Sequence, residues 1–174
     1  SSAEELIKAS LKNIEDVEKE INECVSRQPE LSIKEATKVD ERISKGENLP
    51  LAGLALGVKD LEDSEGYVTT YGSDGHTNDQ PAKTDSILVK RLRATGAIVV
   101  GKTNTPEFGY KGVTDNVHFG ASKNPWNVEY NPGGYSGGSS AALAEGMIPI
   151  TTGSDGGGSI SITAAYCGLS AIKT

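Results

Sequence analysis

The chain has 174 residues, with 36% hydrophobic and 24% charged side chains, enough to bury one sizeable core and too apolar for disorder. A net charge of −7 argues against nonspecific nucleic-acid binding, which depends on lysines and arginines neutralising phosphates. No apolar run approaches the roughly 20 residues that span a bilayer, and no secretory signal is visible. Two distant cysteines, Cys24 and Cys167, make neither a disulfide framework nor a metal-ligand spacing, so a reducing cytoplasm is the expected compartment.

Residues 3–25 place Ile7, Leu11, Ile14, Val17, Ile21 and Val25 on one stripe, which predicts an amphipathic helix with Ser2 and Glu5 as its capping box. A second helix is expected over 33–44, opened by Ser32 and Glu35 and closed by Gly46 and Pro50. Residues 51–58 are short and apolar, a buried strand that delivers Lys59 and Asp60 at its end. Residues 61–83 read as loop, with an extended piece near 67–71. Thr84 or Asp85 then caps a helix through Ala94, and a strand over 97–100 runs into the turn 101–106. An irregular stretch over 110–132, a helix over 139–145, a strand over 147–152 and a last short strand over 168–172 complete the reading. Helices alternating with apolar strands imply an α/β fold in which a mixed sheet is flanked by helices.

Two glycine loops carry the chemistry: Gly133-Gly134-Tyr135-Ser136-Gly137-Gly138-Ser139-Ser140 and Gly153-Ser154-Asp155-Gly156-Gly157-Gly158-Ser159-Ile160. Consecutive backbone amides in such loops form anion-binding nests, and a hydroxyl beside a nest is what acyl transfer needs. Lys59, set behind Leu56, Gly57 and Val58, has an apolar surround that would lower its pKa toward a usable base. The amides of Gly156, Gly157, Gly158 and Ser159 would receive the developing oxyanion, with Asp155 bracing the loop through backbone N–H bonds. Two other motifs fit less well. Gly134-Tyr135-Ser136-Gly137-Gly138 matches Gly-x-Ser-x-Gly, but both histidines precede Ser136 and a polar segment precedes the loop. The Lys-Ser/Thr ending of a phosphate-binding loop is missing. Trp126 is expected to anchor its loop by burying its ring, His76 to face solvent, His118 to be packed or hydrogen-bonded, and both cysteines to be buried to differing degrees, with Cys24 on the first helix.

Residues 133–160 resemble the signature of the amidase signature family, and Gly57-Val58-Lys59-Asp60 resembles its lysine motif. Supporting stretches are Gly101-Lys102-Thr103-Asn104, Asn124-Pro125-Trp126 and Cys167-Gly168-Leu169. The resemblance implies one amidase-type α/β domain, of which residues 1–174 would be the N-terminal part: a helical segment over 1–50 and catalytic core over 51–174. It also implies amide hydrolysis by a Ser–cis-Ser–Lys triad, with Lys59 as base, Ser159 as acyl-forming nucleophile and the relay hydroxyl at Tyr135 or Ser136. No metal or organic cofactor is implied, and the expected substrate is a small-molecule amide. The N-terminal helices and the 124–126 region are also similar to the amidase subunit of glutaminyl-tRNA amidotransferase, which would imply partner subunits.

The chain departs from the family pattern at three places. Tyr135 stands where the family has its bridging serine, Gly156 replaces a threonine and Ser161 an arginine. The alternative expectation is therefore an amidase-like scaffold or binding protein whose site Tyr135 has closed.

Overall fold

The structure, a computed structural model, describes residues 1–173, and at positions 18 and 19 the backbone alone; Thr174 lies outside the described residues. Helix α1 (Ala3–Ile21) begins with the expected capping box: the Glu5 amide donates to Ser2 Oγ, and the Ser2 amide donates to the Glu5 carboxylate. Ile7, Ile14 and Ile21 form its buried stripe. The helix stops short of Val25 because Asn22 takes a left-handed φ of 56°, and the chain turns into strand β1 (Cys24–Ser26). Cys24 is therefore a buried strand residue and not a helical one.

Helix α2 (Pro29–Ser44) starts one turn earlier than the sequence suggests, with Pro29 in its first turn, where a missing N–H costs nothing. Ser32 and Glu35 consequently do not cap it. The Ser32 hydroxyl donates to Val99 O at 2.7 Å, and Glu35 pairs with Arg93. After a turn over 50–53, strand β2 (Ala55–Lys59) is fully buried. The segment 67–71 is hydrogen-bonded loop with no strand; among the described residues, the one regular element between β2 and α3 is a 3-10 turn at Asp74–His76. Helix α3 (Ile87–Ala94) is capped by Ser86, whose Oγ accepts the Val89 amide. Asp85 instead accepts from the Glu65 amide and pairs with Arg93.

Strand β3 (Ile98–Thr103) runs three residues beyond the expected strand and so includes Lys102. A small hairpin, β4 (Asp115–Asn116) with β5 (Gly120–Ala121), interrupts the irregular stretch. Helix α4 (Gly137–Ala144) begins inside the first glycine loop, and β6 (Ile150–Thr151) is a short strand. A final helix, α5 (Ser161–Cys167), was not legible; it ends on left-handed Gly168, so residues 168–172 do not form the expected strand.

The sheet has the order β1-β3-β2-β6, with β1 antiparallel to β3 and the other pairs parallel. It is thus mixed, as expected. One face packs on α1, α2 and α4 through Ile7, Ile14, Val39, Ile98, Val100 and Ala142. The other buries Leu56, Val58 and Val99 against Tyr67 and Val89 of α3. Because side chains alternate along a strand, Gly57 and Lys59 lie on the face opposite Leu56 and Val58. Among the described residues, no helix is long and apolar enough to cross a membrane.

An ion pair stands behind the end of β2. Lys102 Nζ is 3.0 Å from Asp60 Oδ1, both side chains are buried, and Thr69 Oγ1 and the Thr70 amide and hydroxyl complete their hydrogen bonding. Removing one charge would strand the other out of water. Asp60→Ala is expected to destabilise the fold by about 3–5 kcal/mol, and Asp60→Leu combined with Lys102→Met to recover most of that loss, as measured by denaturant titration. Equal losses in the single and double variants would show that the charges are not coupled.

Candidate active site

Lys59 ends β2 at the carboxyl edge of the sheet, where loops gather in α/β folds. Its amide donates to Thr152 Oγ1 at 2.8 Å, while the Thr152 amide donates to Gly57 O, so the second glycine loop is tied to the strand before it leaves the sheet. The first loop is held as tightly. A Cβ on Gly138 would lie 2.4 Å from Asn104 N, so only glycine lets the start of α4 seat against the end of β3. Ser139 Oγ contacts Thr103 Oγ1 at 2.6 Å and donates to Thr152 O at 2.7 Å, joining both loops to the sheet.

Those ties bring three predicted residues into one row. Lys59 Nζ lies 2.8 Å from Ser136 Oγ, and Ser136 Oγ lies 2.9 Å from Ser159 Oγ. All three side chains are buried. Burial pushes the Lys59 ammonium down from 10.5 to about 7, against the opposing pull of Glu62 and Asp155, so a substantial neutral fraction exists at neutral pH. Ser154, a residue the sequence pattern did not single out, holds Lys59 Nζ from another side through its Oγ at 2.9 Å. Its position between Gly153 and Asp155, in the loop that carries Ser159, was the available signal.

Tyr135 is outside this row. Its ring lies under Lys59 Nζ, 4.1 Å from the centroid, and its hydroxyl accepts the Gly156 N–H. Of the two relay candidates the sequence left open, Ser136 occupies the bridge. All described peptide bonds are trans, so the cis linkage implied by the resemblance is absent.

Asp155 braces the second loop as expected, accepting the amides of Gly158, Ile160 (3.0 Å) and Ser161 (3.3 Å). Those bonds, that of Gly158 foremost, hold its carboxyl down at about 2. The expected four-amide cradle is correspondingly narrower. Gly156 N–H is committed to Tyr135 and Gly158 N–H to Asp155, whereas Gly157 and Ser159 donate no intramolecular bond among the described residues. A cavity of about 750 Å³ opens beside Ser136, walled by Ser140, Leu143, Ile148, Ile160 and Ala171.

Trp126 anchors its loop differently from expectation: the residue is 74% exposed, and its indole N–H donates to Cys167 O at 2.9 Å. His76 is half-exposed against Tyr71 and Phe108 and pairs with Asp79. His118 pairs with Asp74 and stacks edge-on to Phe119. Neither histidine contacts the row. Among the described residues, no three His, Cys, Asp or Glu side chains gather as a metal would require.

Fold and site together define an α/β protein with a buried lysine–serine–serine row at the carboxyl end of its sheet. Residues 5–174 match the amidase family, and the chain belongs to that family. It is 41% identical over 174 residues to the AtzE subunit of 1-carboxybiuret hydrolase from Pseudomonas sp. (strain ADP), covering 99% of this chain and 38% of the relative. It is 42% identical over 173 residues to a glutamyl-tRNA(Gln) amidotransferase subunit of Agathobacter rectalis, covering 99% and 34%. A bacterial aryl acylamidase of the amidase signature family superposes with a TM-score of 0.88 at 32% identity, over 95% of this chain and 34% of that one. The chain thus spans about a third of the length of the curated relatives it matches.

Proposed function

We propose that residues 1–174 are the N-terminal part of a single amidase domain that hydrolyses a carboxylic amide through an acyl-Ser159 intermediate. The observation that carries this reading is the unbroken row from Lys59 Nζ through Ser136 Oγ to Ser159 Oγ, at 2.8 and 2.9 Å. Neutral Lys59 takes the Ser136 proton while Ser136 takes that of Ser159, whose oxygen attacks the amide carbon. The carbonyl oxygen gains the negative charge and is received by the Gly157 and Ser159 amides, each such donor worth about 3 kcal/mol in the transition state. As the tetrahedral species collapses, the C–N bond breaks, the proton returns along the row to the leaving amine, and an ester to Ser159 remains. Water, deprotonated along the same row, then releases the carboxylic acid and regenerates Ser159.

The test is covalent capture. An alkyl fluorophosphonate added to the intact protein should label Ser159, located by peptide mass mapping, at a rate that rises with pH through about 7. A label on another serine would remove Ser159 as nucleophile. No label in a folded protein would favour the scaffold reading, in which Tyr135 closes the site.

A second reading is favoured by the amidotransferase relative: an amidase subunit that releases ammonia from glutamine together with partner subunits. Glutaminase activity appearing only after a partner is added would select it. Hydrolysis of simple amides by the protein alone would select the free-standing amidase.

A further inference from the structure

Tyr135 is pinned on several sides. Its carbonyl accepts from Thr105 Oγ1 at 3.2 Å, and its ring edge lies against the backbone of Gly109, where a Cβ would sit 3.4 Å from Cδ2. The ring face stands 4.1 Å from Lys59 Nζ, and the hydroxyl takes the Gly156 amide. A Cβ on Gly156 would meet that hydroxyl at 2.9 Å, so the glycine here fits the tyrosine. One side chain thereby spans from the lysine to the loop that carries Ser159.

The remaining contacts of Lys59 Nζ, Ser136 Oγ and Ser154 Oγ, are neutral hydroxyls. The charged groups that act on it are Glu62, in the loop after β2, and Asp155, in the second glycine loop; both favour the ammonium. Lys102 of neighbouring β3 is matched by Asp60. The ring acts in the same direction at contact distance, because the negative face of an aromatic quadrupole attracts a cation, the more so when water is excluded.

We infer that Tyr135 is a positioning residue that couples the base to the amide cradle: its ring holds Lys59 Nζ against Ser136, and its hydroxyl fixes the Gly156 amide ahead of Ser159. The inference rests on the reading of Lys59 as base. It explains how a residue too large to bridge can stand beside an intact Lys–Ser–Ser row, and it gives the tyrosine a constructive part in the site. Its two contacts are separable by substitution, since phenylalanine keeps the face and loses the hydroxyl.

The experiment is an NMR titration of the intact protein labelled with ¹³Cε-lysine, the Lys59 resonance being identified by its loss in Lys59→Met. Tyr135→Leu should lower the Lys59 midpoint by about half to one pH unit. Replacing Tyr135 with a heavily fluorinated phenylalanine, which keeps the shape and weakens the quadrupole, should reproduce that shift. Tyr135→Phe should leave the midpoint in place and accelerate hydrogen exchange at the Gly156 amide several-fold, as loss of one hydrogen bond requires. The acid limb of fluorophosphonate labelling at Ser159 should move with the midpoint. An unchanged midpoint in both the leucine and the fluorinated variants, or unchanged Gly156 exchange in Tyr135→Phe, overturns the inference. Failure of Ser159 to label at any pH overturns the acyl-serine reading instead, and the titration still decides the Tyr135 contact.

Discussion

Lys59→Met is expected to reduce amide turnover by about 10²–10⁴-fold, the span typical of losing a positioned general base, and at the same time to stabilise the fold at acidic pH. The two effects share one cause. Lys59 sits where an ammonium is poorly solvated, with its pKa lowered to about 7 from the 10.5 of an exposed lysine. Below pH 7 both folded and unfolded chains bind the proton, and the folded state bears the whole desolvation cost. Between 7 and 10.5 the unfolded chain binds more protons than the folded one, so wild-type stability rises with pH. Above 10.5 both forms are neutral and the cost is gone. Methionine fills similar space without a charge, so its advantage should be greatest at pH 6, about 2–4 kcal/mol, and should shrink steadily toward pH 10. Thermal melts of both proteins at pH 6 and pH 9.5 read the difference directly. A stability gap independent of pH would show that Lys59 is not desolvated, and turnover within tenfold of wild type would show that it is not the base. The wild-type rate should fall about tenfold per unit below pH 7, because the neutral fraction does.

Much of this arrangement was legible in the sequence because it depends on local pattern. Gly57-Val58-Lys59-Asp60 announces a buried strand that ends on a polar pair, and the strand indeed buries Leu56 and Val58 and hands Lys59 to the loops. Asp155 three residues before Gly158 has the spacing of a side chain that folds back on following amides, and it does so. Ser136 against Tyr135 could not be decided in this way. Both side chains reach Lys59, and which of their hydroxyls lies between Lys59 and Ser159 is set by the path through Gly133 (φ 76°) and Gly134 (φ 44°), a choice that glycine leaves to tertiary contacts. Helix α5 escaped because Ser161-Ile162-Thr163-Ala164-Ala165-Tyr166-Cys167 is short and rich in weak helix formers. It is held by packing, with Thr163 Oγ1 on Ser159 O and the Trp126 indole on Cys167 O. The second of these joins residues 41 apart in the chain and has no signature in a linear pattern.

Ser136→Ala is the second large loss to expect, again about 10²–10⁴-fold in turnover, because it removes the one hydroxyl among the described residues that touches both Lys59 Nζ and Ser159 Oγ. The vacated space is small and polar, bounded by Ser154 O and the Ser154 amide as well as by Lys59 Nζ and Ser159 Oγ. A water held there would carry part of the proton traffic and set the loss at the low end. Stability should change little, since Ser139 and Thr152 fasten the loops to the sheet without Ser136. Adding Tyr135→Ser to Ser136→Ala separates the two relay positions the sequence left open. If the bridge belongs to 136, a serine at 135 cannot replace it: it would face the Gly156 side of Lys59, and the ring beneath the amine would be lost as well. Turnover of the double variant should then be no higher than that of Ser136→Ala. Recovery toward the wild-type rate would mean that the proton passes through position 135, and that the loop settles into a different path once the tyrosine is gone.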